Sequence, residues 1–471
     1  MRLIILFQNR IKVIARLVLT LFFIIIIQLN IFSQVTEEWV ARYNGPGNYY
    51  DSVNAIALDI SGNVYVTGKS YGSGTDYDYA TVKYNSSGAE QWVARYNGPG
   101  NSVDEANVIT TDSSGNVYVT GESYDSGTSY DYATIKYNSS GVEQWVARYN
   151  GPGNYPSDYA YAIVLDISGN IYVTGESYGS GTSWDYATIK YDIAGIEQWV
   201  VRYNGPGNGY DSAGDIALDD SGNVYVTGLS ESSVTSRDYA TIKYNSSGSQ
   251  QWVVRYNGPG NGYDEADDIT LDNLGNVYVT GDSAGSGSWP DYYDYATIKY
   301  NSSGSQQWVA RYNGTGNDTD YVYAMALDSS GDVYVTGDSD GSGTLSDYAT
   351  IKYNSSGSQQ WVARYNGTGN KSDWAEAIAI DSSGNVYVTG SIDGAGTSQD
   401  YATIKYNSSG VQQWVARYIG PGNDFDRATA IALDSWGNVY VSGNSYISGF
   451  YSDYATIKYS QGTSVRDWSL Y

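Results

Sequence analysis

Short alternating runs of apolar and polar residues dominate most of the chain. Within residues 104–151 four such runs, NVITTD, NVYVTG, YATIKYN and QWVARYN, are rich in Val, Ile, Thr, Tyr and Trp. Gly, Asn, Asp and Ser bound each run, as is typical of β-strands joined by tight turns. In the last run Trp145 and Tyr149 fall on one face, whereas Val146 and Arg148 fall on the other. The pattern therefore predicts four strands per unit and indicates no helix in this unit.

The four-strand unit recurs along the chain at a nearly constant interval. Successive tryptophans of its fourth strand are separated by 53, 53, 54, 53, 56, 53 and 53 residues. These tryptophans are Trp39, Trp92, Trp145, Trp199, Trp252, Trp308, Trp361 and Trp414. Such regularity favours one domain built of modules over the two or three domains that 471 residues would otherwise suggest.

The two ends of the repeat region complement each other. The region opens with a lone fourth strand, EEWVARYN at 37–44, and closes with three strands, TAIALD, NVYVSG and YATIKY. One strand and three strands together make an eighth unit. We therefore predict an all-β fold, a single eight-bladed β-propeller of four-stranded antiparallel blades over residues 34–460, closed by the N-terminal strand. A solenoid with open ends is the alternative, but it leaves this split unexplained.

The repeated motif resembles a known family. AIAIDSSGNVYVTG at 377–390, followed by DYATIKYNSSG, is similar to the bacterial secreted β-propeller repeats called SBBP repeats. The resemblance extends over essentially all of 37–459 and implies a propeller fold. Because that family has no common assigned activity, the resemblance implies little about function.

The first 33 residues do not belong to the repeat. A basic start precedes the apolar run LVLTLFFIIIIQLNIF, and Ser33 before Gln34 provides a small residue for cleavage. We predict a secretory signal peptide over 1–33, with an uncleaved membrane anchor as the alternative. The expected location is outside the cell or at a bacterial cell surface, or in the periplasm, with no membrane insertion after cleavage. Residues 461–471 form a short tail.

Charge and missing residue types exclude several functions. The formal net charge is −26, which disfavours binding to nucleic acid. The chain contains no Cys and no His, which excludes a Ser-His-Asp triad, a Cys nucleophile and ordinary zinc or copper sites. The expected partner is an extracellular polysaccharide or a surface protein, and the expected state is a monomer.

Most charges recur once per blade, which indicates a structural role. A Lys such as Lys83 lies on each third strand, and an Arg such as Arg95 lies on each fourth strand. One Asp series, including Asp59, lies in the first turn, and another, including Asp78, opens the third strand. We predict that these groups cap turns and pair blades.

The two ends of a propeller differ in their connections. The turns DSSGN and NSSG, which join strands one to two and three to four, are short and uniform, and we call their side the turn face. The remaining connections vary in sequence and length, and we call their side the loop face. We expect ligand binding on the loop face.

Aromatic residues gather on the loop face. Rings stack on apolar faces of sugars, and nearby carboxylates accept hydrogen bonds from sugar hydroxyls. The predicted ligand-binding residues are Tyr77, Tyr130, Tyr159, Tyr161, Trp184, Trp289, Tyr293 and Trp374. The alternative is that these rings pack the loops against one another.

An aspartate also recurs near the start of each innermost strand. Carboxylates suit Ca²⁺, and a calcium-binding ring of carboxylates is one interpretation. The other is that each aspartate caps its own NGPGN turn. The eight residues are Asp51, Asp104, Asp158, Asp211, Asp264, Asp320, Asp373 and Asp426.

These features predict a non-catalytic binding or adhesion module. A hydrolase that acts on carbohydrate through paired carboxylates is the alternative, with Glu105, Glu265 and Glu376 as its candidates. A passive structural scaffold is a third possibility. No catalytic residue is assigned.

Overall fold

The structure, a computed structural model, describes most of the repeat region. The described residues are 35–153, 157–285, 292–394, 396, 398–447 and 451–461. The predicted signal peptide, Trp289 and the predicted tail beyond Gln461 lie outside them. No helix in the described ranges has the length and apolar character that a membrane span requires.

The inner half of each blade is formed by a first and a second strand. The first strands are β2 (Asp51–Leu58), β6 (Asp104–Thr111), β10 (Asp158–Leu165), β14 (Asp211–Leu218), β18 (Asp264–Leu271), β22 (Asp320–Leu327), β26 (Trp374–Ile380) and β30 (Asp426–Leu433). The second strands are β3 (Val64–Tyr71), β7 (Val117–Asp125), β11 (Ile171–Tyr178), β15 (Val224–Glu231), β19 (Val277–Ala284), β23 (Val333–Asp340), β27 (Val386–Asp393) and β31 (Val439–Ile447).

The outer half is formed by a third and a fourth strand. The third strands are β4 (Tyr77–Tyr84), β8 (Ser129–Tyr137), β12 (Trp184–Tyr191), β16 (Arg237–Tyr244), β20 (Tyr293–Tyr300), β24 (Ser346–Tyr353), β28 (Gln399–Tyr406) and β32 (Tyr451–Gln461). The fourth strands are β5 (Glu90–Tyr96), β9 (Glu143–Tyr149), β13 (Glu197–Tyr203), β17 (Gln250–Tyr256), β21 (Gln306–Tyr312), β25 (Gln359–Tyr365), β29 (Gln412–Tyr418) and β1 (Val35–Tyr43).

Eight four-stranded antiparallel sheets result, which confirms the predicted propeller. Seven blades are continuous in sequence, and we number them from the N-terminus. The eighth has the strand order β1-β32-β31-β30. Pairing runs from Val35 opposite Gln461 to Tyr43 opposite Tyr454. The predicted closure by an N-terminal fourth strand is therefore present.

The core lies between blades rather than within one sheet. Val64 and Val66 of blade 1 share an apolar cluster with Tyr440 and Tyr454 of blade 8. Equivalent clusters lie between the other neighbouring blades. A single blade exposes both of its apolar faces, so blades are stabilised by stacking on their neighbours.

A buried tyrosine on each third strand bridges to the next blade. Its hydroxyl donates a hydrogen bond of 3.1 to 3.5 Å to an alanine carbonyl of the next third strand. The donors are Tyr79, Tyr132, Tyr186, Tyr239, Tyr295, Tyr348, Tyr401 and Tyr454. These eight bonds pass once around the ring.

The recurring charges form the predicted scaffold. Asp59 accepts backbone hydrogen bonds within its own turn, at 2.9 Å from Ser61. Arg95 pairs with Asp78 at 2.9 Å and donates to Tyr43 of blade 8 at 2.9 Å. The same types of contact recur around most of the ring. These groups hold turns and neighbouring blades together.

Candidate functional site

The first residues of each inner strand lie at the loop-face end of the ring, directly after the NGPGN-type loop. Each inner strand contains a bulge, for example between Val53 and Ala55, and contacts the inner strands of both neighbouring blades. The residue after the second-strand glycine lies beside this bulged segment, as Glu122 lies opposite Glu105. We call these inner-strand and second-strand positions together the channel mouth.

The recurring aspartates at the inner-strand starts are turn caps. One carboxylate oxygen accepts from the glycine of the preceding NGPGN-type loop at 2.5 to 2.8 Å. The other accepts a backbone hydrogen bond from the second strand, as from Tyr124 to Asp104 at 3.0 Å. All eight residues are 0% exposed, and burial raises the pKa of Asp104.

These contacts favour the turn-cap interpretation over the calcium ring. The carboxylates face backbone amides instead of a common centre, and both oxygens are already hydrogen-bonded. Within the described ranges no group of three or more His, Cys, Asp or Glu side chains is arranged to hold a metal ion.

A continuous row of rings, which we call the aromatic array, crosses the loop face from blade 3 to blade 6. Trp184 contacts Tyr210 with ring centroids 5.7 Å apart. The Arg237 guanidinium lies over Tyr210 at 4.7 Å and over Tyr263 at 5.2 Å. Tyr293 follows Tyr263 at 5.9 Å and contacts Tyr321 at 5.9 Å. The array comprises Trp184, Tyr210, Arg237, Tyr263, Tyr293 and Tyr321.

The other predicted aromatic residues make no ring–ring contact with this array among the described residues. Tyr130 contacts Tyr159 at 5.7 Å, and Tyr159 stacks on Tyr161 at 6.5 Å with an interplanar angle of 6°. Tyr77 lies in blade 1 beneath the Lys69 ammonium, 5.6 Å from its ring centroid. Trp374 of blade 7 makes no ring–ring contact with a described residue. The predicted set is therefore divided among at least three places.

The carboxylates of the second strands were not among the predicted site residues. Glu122, Glu176, Asp282 and Asp338 each follow the glycine of a VTG motif and line the channel mouth. Tyr210 of the aromatic array donates a hydrogen bond to Glu176. The variability of this one position within an otherwise constant motif was the signal that could have revealed them.

Crowding and burial keep several of these carboxyl groups protonated at higher pH than usual. Burial, followed by the charge of Glu105, raises the pKa of Glu122 to about 7. Burial also raises the pKa of Asp338, which is 2% exposed, to about 7. Two cations offset part of this charge: Lys69 contacts Glu105 at 2.6 Å, and Arg427 contacts Glu376 at 2.7 Å.

Some channel carboxylates have a structural partner in the next blade. Asp268 accepts from the backbone N–H of Met325 at 2.7 Å, and Asp282 accepts from that of Val322 at 2.8 Å. These bonds satisfy amides on the inner edge of the neighbouring sheet, which a bulged edge strand leaves unpaired. Asp267 differs, because its Oδ2 is buried and has no hydrogen-bond partner in the described part of the chain.

Comparison with solved structures finds several proteins at low identity. A protein of unknown function from Dyadobacter fermentans is 8% identical, with 91% of this chain and 99% of that chain covered and a TM-score of 0.42. A polysaccharide lyase described as an ulvan lyase is 11% identical, with 85% and 93% covered and a TM-score of 0.43. A protein of unknown function from Bacteroides caccae is 11% identical, with 64% and 93% covered and a TM-score of 0.36.

Comparison with curated proteins finds no match. The family model of the SBBP β-propeller repeat matches seven segments, which together span more than half of the chain. The segments are 38–74, 91–127, 144–181, 198–233, 251–287, 307–343 and 360–396.

Proposed function

Since this chain belongs to the SBBP β-propeller repeat family, we propose that it is a secreted or cell-surface module that binds an extracellular polysaccharide without catalysis. The aromatic array is the observation that carries this proposal. Its rings are half-buried, and Tyr321 at its end is 37% exposed. A row of partly exposed rings offers successive stacking surfaces to successive sugar units.

Hydrogen-bond acceptors lie directly beside these rings. Tyr263 donates to Glu265, and Tyr210 donates to Glu176, so each ring of these pairs is held next to a carboxylate. Carboxylates are strong acceptors for sugar hydroxyls. The array and its carboxylates together combine the two kinds of contact that a carbohydrate site uses.

The charge of the loop face restricts the ligand further. Acidic residues of the channel mouth outnumber its cations, of which Lys69 and Arg427 are already paired with carboxylates. An anionic polysaccharide would meet like charges. We therefore propose a neutral or cationic polysaccharide as the ligand class, with a surface protein as the alternative partner.

A polysaccharide array tests this proposal. The purified chain is applied to neutral, cationic and anionic polysaccharides, in the presence and absence of calcium. We expect retention on some neutral or cationic members, none on anionic ones, and no effect of calcium. Retention confined to anionic polysaccharides would contradict the ligand class, and no retention anywhere would favour the scaffold interpretation.

A second candidate function is hydrolysis of a polysaccharide by paired carboxylates. Glu105 and Glu122 are cross-strand neighbours, and Lys69 lies beside Glu105. A carboxyl group with a pKa near 7 suits a general acid, and a second carboxylate beside it suits a nucleophile or base. Release of reducing ends from a retained polysaccharide, abolished in Glu122→Gln, would establish this activity. Binding without release in the wild type would exclude it for that substrate.

A further inference from the structure

Two clefts lie on the turn face, opposite the aromatic array. One, of about 470 Å³, lies between blades 6 and 7, and the other, of about 320 Å³, lies between blades 3 and 4. Both volumes are within the range of small-ligand sites. We call them the turn clefts.

The equivalent place between blades 7 and 8 holds a side chain of the protein itself. Gln461, at the end of β32, donates hydrogen bonds from Nε2 to the Tyr387 hydroxyl at 2.6 Å and to the Gly437 carbonyl at 2.8 Å. Its Oε1 accepts a hydrogen bond from Lys405. The primary carboxamide therefore uses both of its N–H groups and its oxygen in this place.

The open turn clefts present the same three groups. The larger cleft is lined by Tyr334, Lys352 and Gly384, which occupy the repeat positions of Tyr387, Lys405 and Gly437. In the smaller cleft the corresponding residues are Tyr172, Lys190 and Gly222.

The tyrosine hydroxyls of the clefts are acceptors, as the carboxamide requires. Tyr334 donates its own proton to Asp328 at 3.0 Å, and Tyr172 donates its proton to Asp166 at 3.1 Å. Tyr387 likewise donates to Asp381 at 2.9 Å while it accepts from Gln461. The Tyr172 hydroxyl therefore keeps a lone pair for an incoming N–H group, and the Tyr334 hydroxyl, which also accepts from Lys352, keeps its second lone pair.

Within the described ranges, most third-strand lysines donate a hydrogen bond to a backbone carbonyl in a turn of the next blade, but the lysines of the two open clefts do not. Lys83 donates to the next blade's Ser139 carbonyl at 3.0 Å, and four further lysines donate to the corresponding carbonyls. Among the described residues, neither Lys190 nor Lys352 makes this bond. Lys352 pairs with Asp332 at 2.9 Å, and an ammonium group has three protons to donate.

We propose that each turn cleft is a binding site for a primary carboxamide, namely a glutamine or asparagine side chain of a partner peptide. A carboxylate lacks the two N–H donors that the tyrosine hydroxyl and the glycine carbonyl accept. The acetamido group of an amino sugar has only one. This second site is independent of the polysaccharide site, because it lies on the other face and uses other residues.

Saturation-transfer NMR with the full chain tests the proposal, with the peptides Gly-Gln-Gly, Gly-Asn-Gly and Gly-Glu-Gly and with N-acetylglucosamine as probes. We expect transfer to the Gln or Asn peptide to exceed that to the Glu peptide about tenfold, because the carboxylate lacks the two N–H groups that donate to the tyrosine hydroxyl and to the glycine carbonyl. N-acetylglucosamine should compete poorly. Equal transfer to the Gln and Glu peptides would overturn the proposal.

Two sets of variants locate the binding. Lys190→Met combined with Lys352→Met should remove the transfer, whereas the matched control Lys458→Met, whose ammonium already donates to Ser86 at 3.3 Å, should leave it unchanged. Gln461→Ala should open a third cleft and increase the transfer. Unfolding midpoints confirm that each variant is folded. Undiminished transfer in the double variant, or an equal loss in the control, would contradict the assignment.

Discussion

The Tyr454 hydroxyl donates a hydrogen bond to the Ala80 carbonyl at 3.2 Å, although 374 positions separate the two residues. Tyr454 belongs to the last blade and Ala80 to the first. This bond is the eighth of the set that passes around the ring, and it lies beside the pairing of β1 with β32. Ring closure therefore involves both a shared sheet and a buried hydrogen bond between blades.

The first prediction concerns this closing bond. Tyr454→Phe should lower the free energy of unfolding by about 1 kcal/mol, since it removes a buried hydrogen bond between blades, while Thr67 still donates to the Ala80 carbonyl. Urea unfolding followed by tryptophan fluorescence measures the change.

The matched control is Tyr84→Phe in blade 1. Tyr84 is also buried, but its hydroxyl has no hydrogen-bond partner among the described residues. Its removal should be neutral or slightly stabilising, because nothing is left unsatisfied. An equal loss of stability in both variants would show that the closing hydrogen bond contributes nothing specific.

The second prediction concerns the aspartates of the inner strands. Asp104→Ala should lower the free energy of unfolding by about 2 to 4 kcal/mol, since two buried amides lose their acceptor. Addition of CaCl₂ or EGTA should not shift the melting temperature of the wild type. A calcium-dependent rise that disappears in Asp104→Ala would restore the calcium interpretation.

The architecture was predictable from the sequence because the signal is repeated eight times. The spacing of Trp39 to Trp414 fixed the number of blades, and the complementary ends fixed the closing strand. The interblade hydrogen bonds were not predictable. A tyrosine such as Tyr79 occupies the same position in the alternating pattern of its strand whether its hydroxyl reaches solvent or the next blade.

The third prediction concerns pH. Burial raises the pKa of Asp338 to about 7, so the folded protein keeps a proton that the unfolded chain has released above about pH 4. The unfolding free energy therefore falls as the pH rises from about 4 to about 7. Asp338→Asn removes this ionisation and should stabilise the protein at pH 8 on the order of 3 kcal/mol, with little effect at pH 4.

A turn aspartate provides a control in which the unfolding free energy depends on pH with the opposite sign. Hydrogen bonds from Asn63, Tyr65 and Ser61 outweigh desolvation and hold the pKa of Asp59 below its usual range. The ionised Asp59 carboxylate therefore stabilises the folded state at neutral pH, and this stabilisation is lost as the pH falls through the folded-state pKa. Asp59→Asn should therefore destabilise the protein more at pH 7 than at pH 3. The same pH dependence in both variants would contradict this assignment.

The candidate site was only partly predictable. Trp184 and Tyr293 were predicted because they are aromatic residues of the loop face, and both belong to the aromatic array. Arg237 occupies the same sequence position but was not selected, since only the structure shows that its guanidinium joins Tyr210 to Tyr263. Trp374 was selected by residue type alone, and the structure places it outside the array.

The most direct test of a carbohydrate site on the loop face compares alanine variants of two tryptophans that lie on opposite faces. Binding is measured by affinity electrophoresis in gels that contain a polysaccharide retained by the wild type. Trp184 lies in the aromatic array, whereas Trp436 lies in a turn of the turn face and is 70% exposed. Trp184→Ala should weaken binding about tenfold or more, since stacking on a ring is lost, and Trp436→Ala should leave it unchanged. Unchanged binding in Trp184→Ala, or an equal loss in Trp436→Ala, would contradict a carbohydrate site on the loop face.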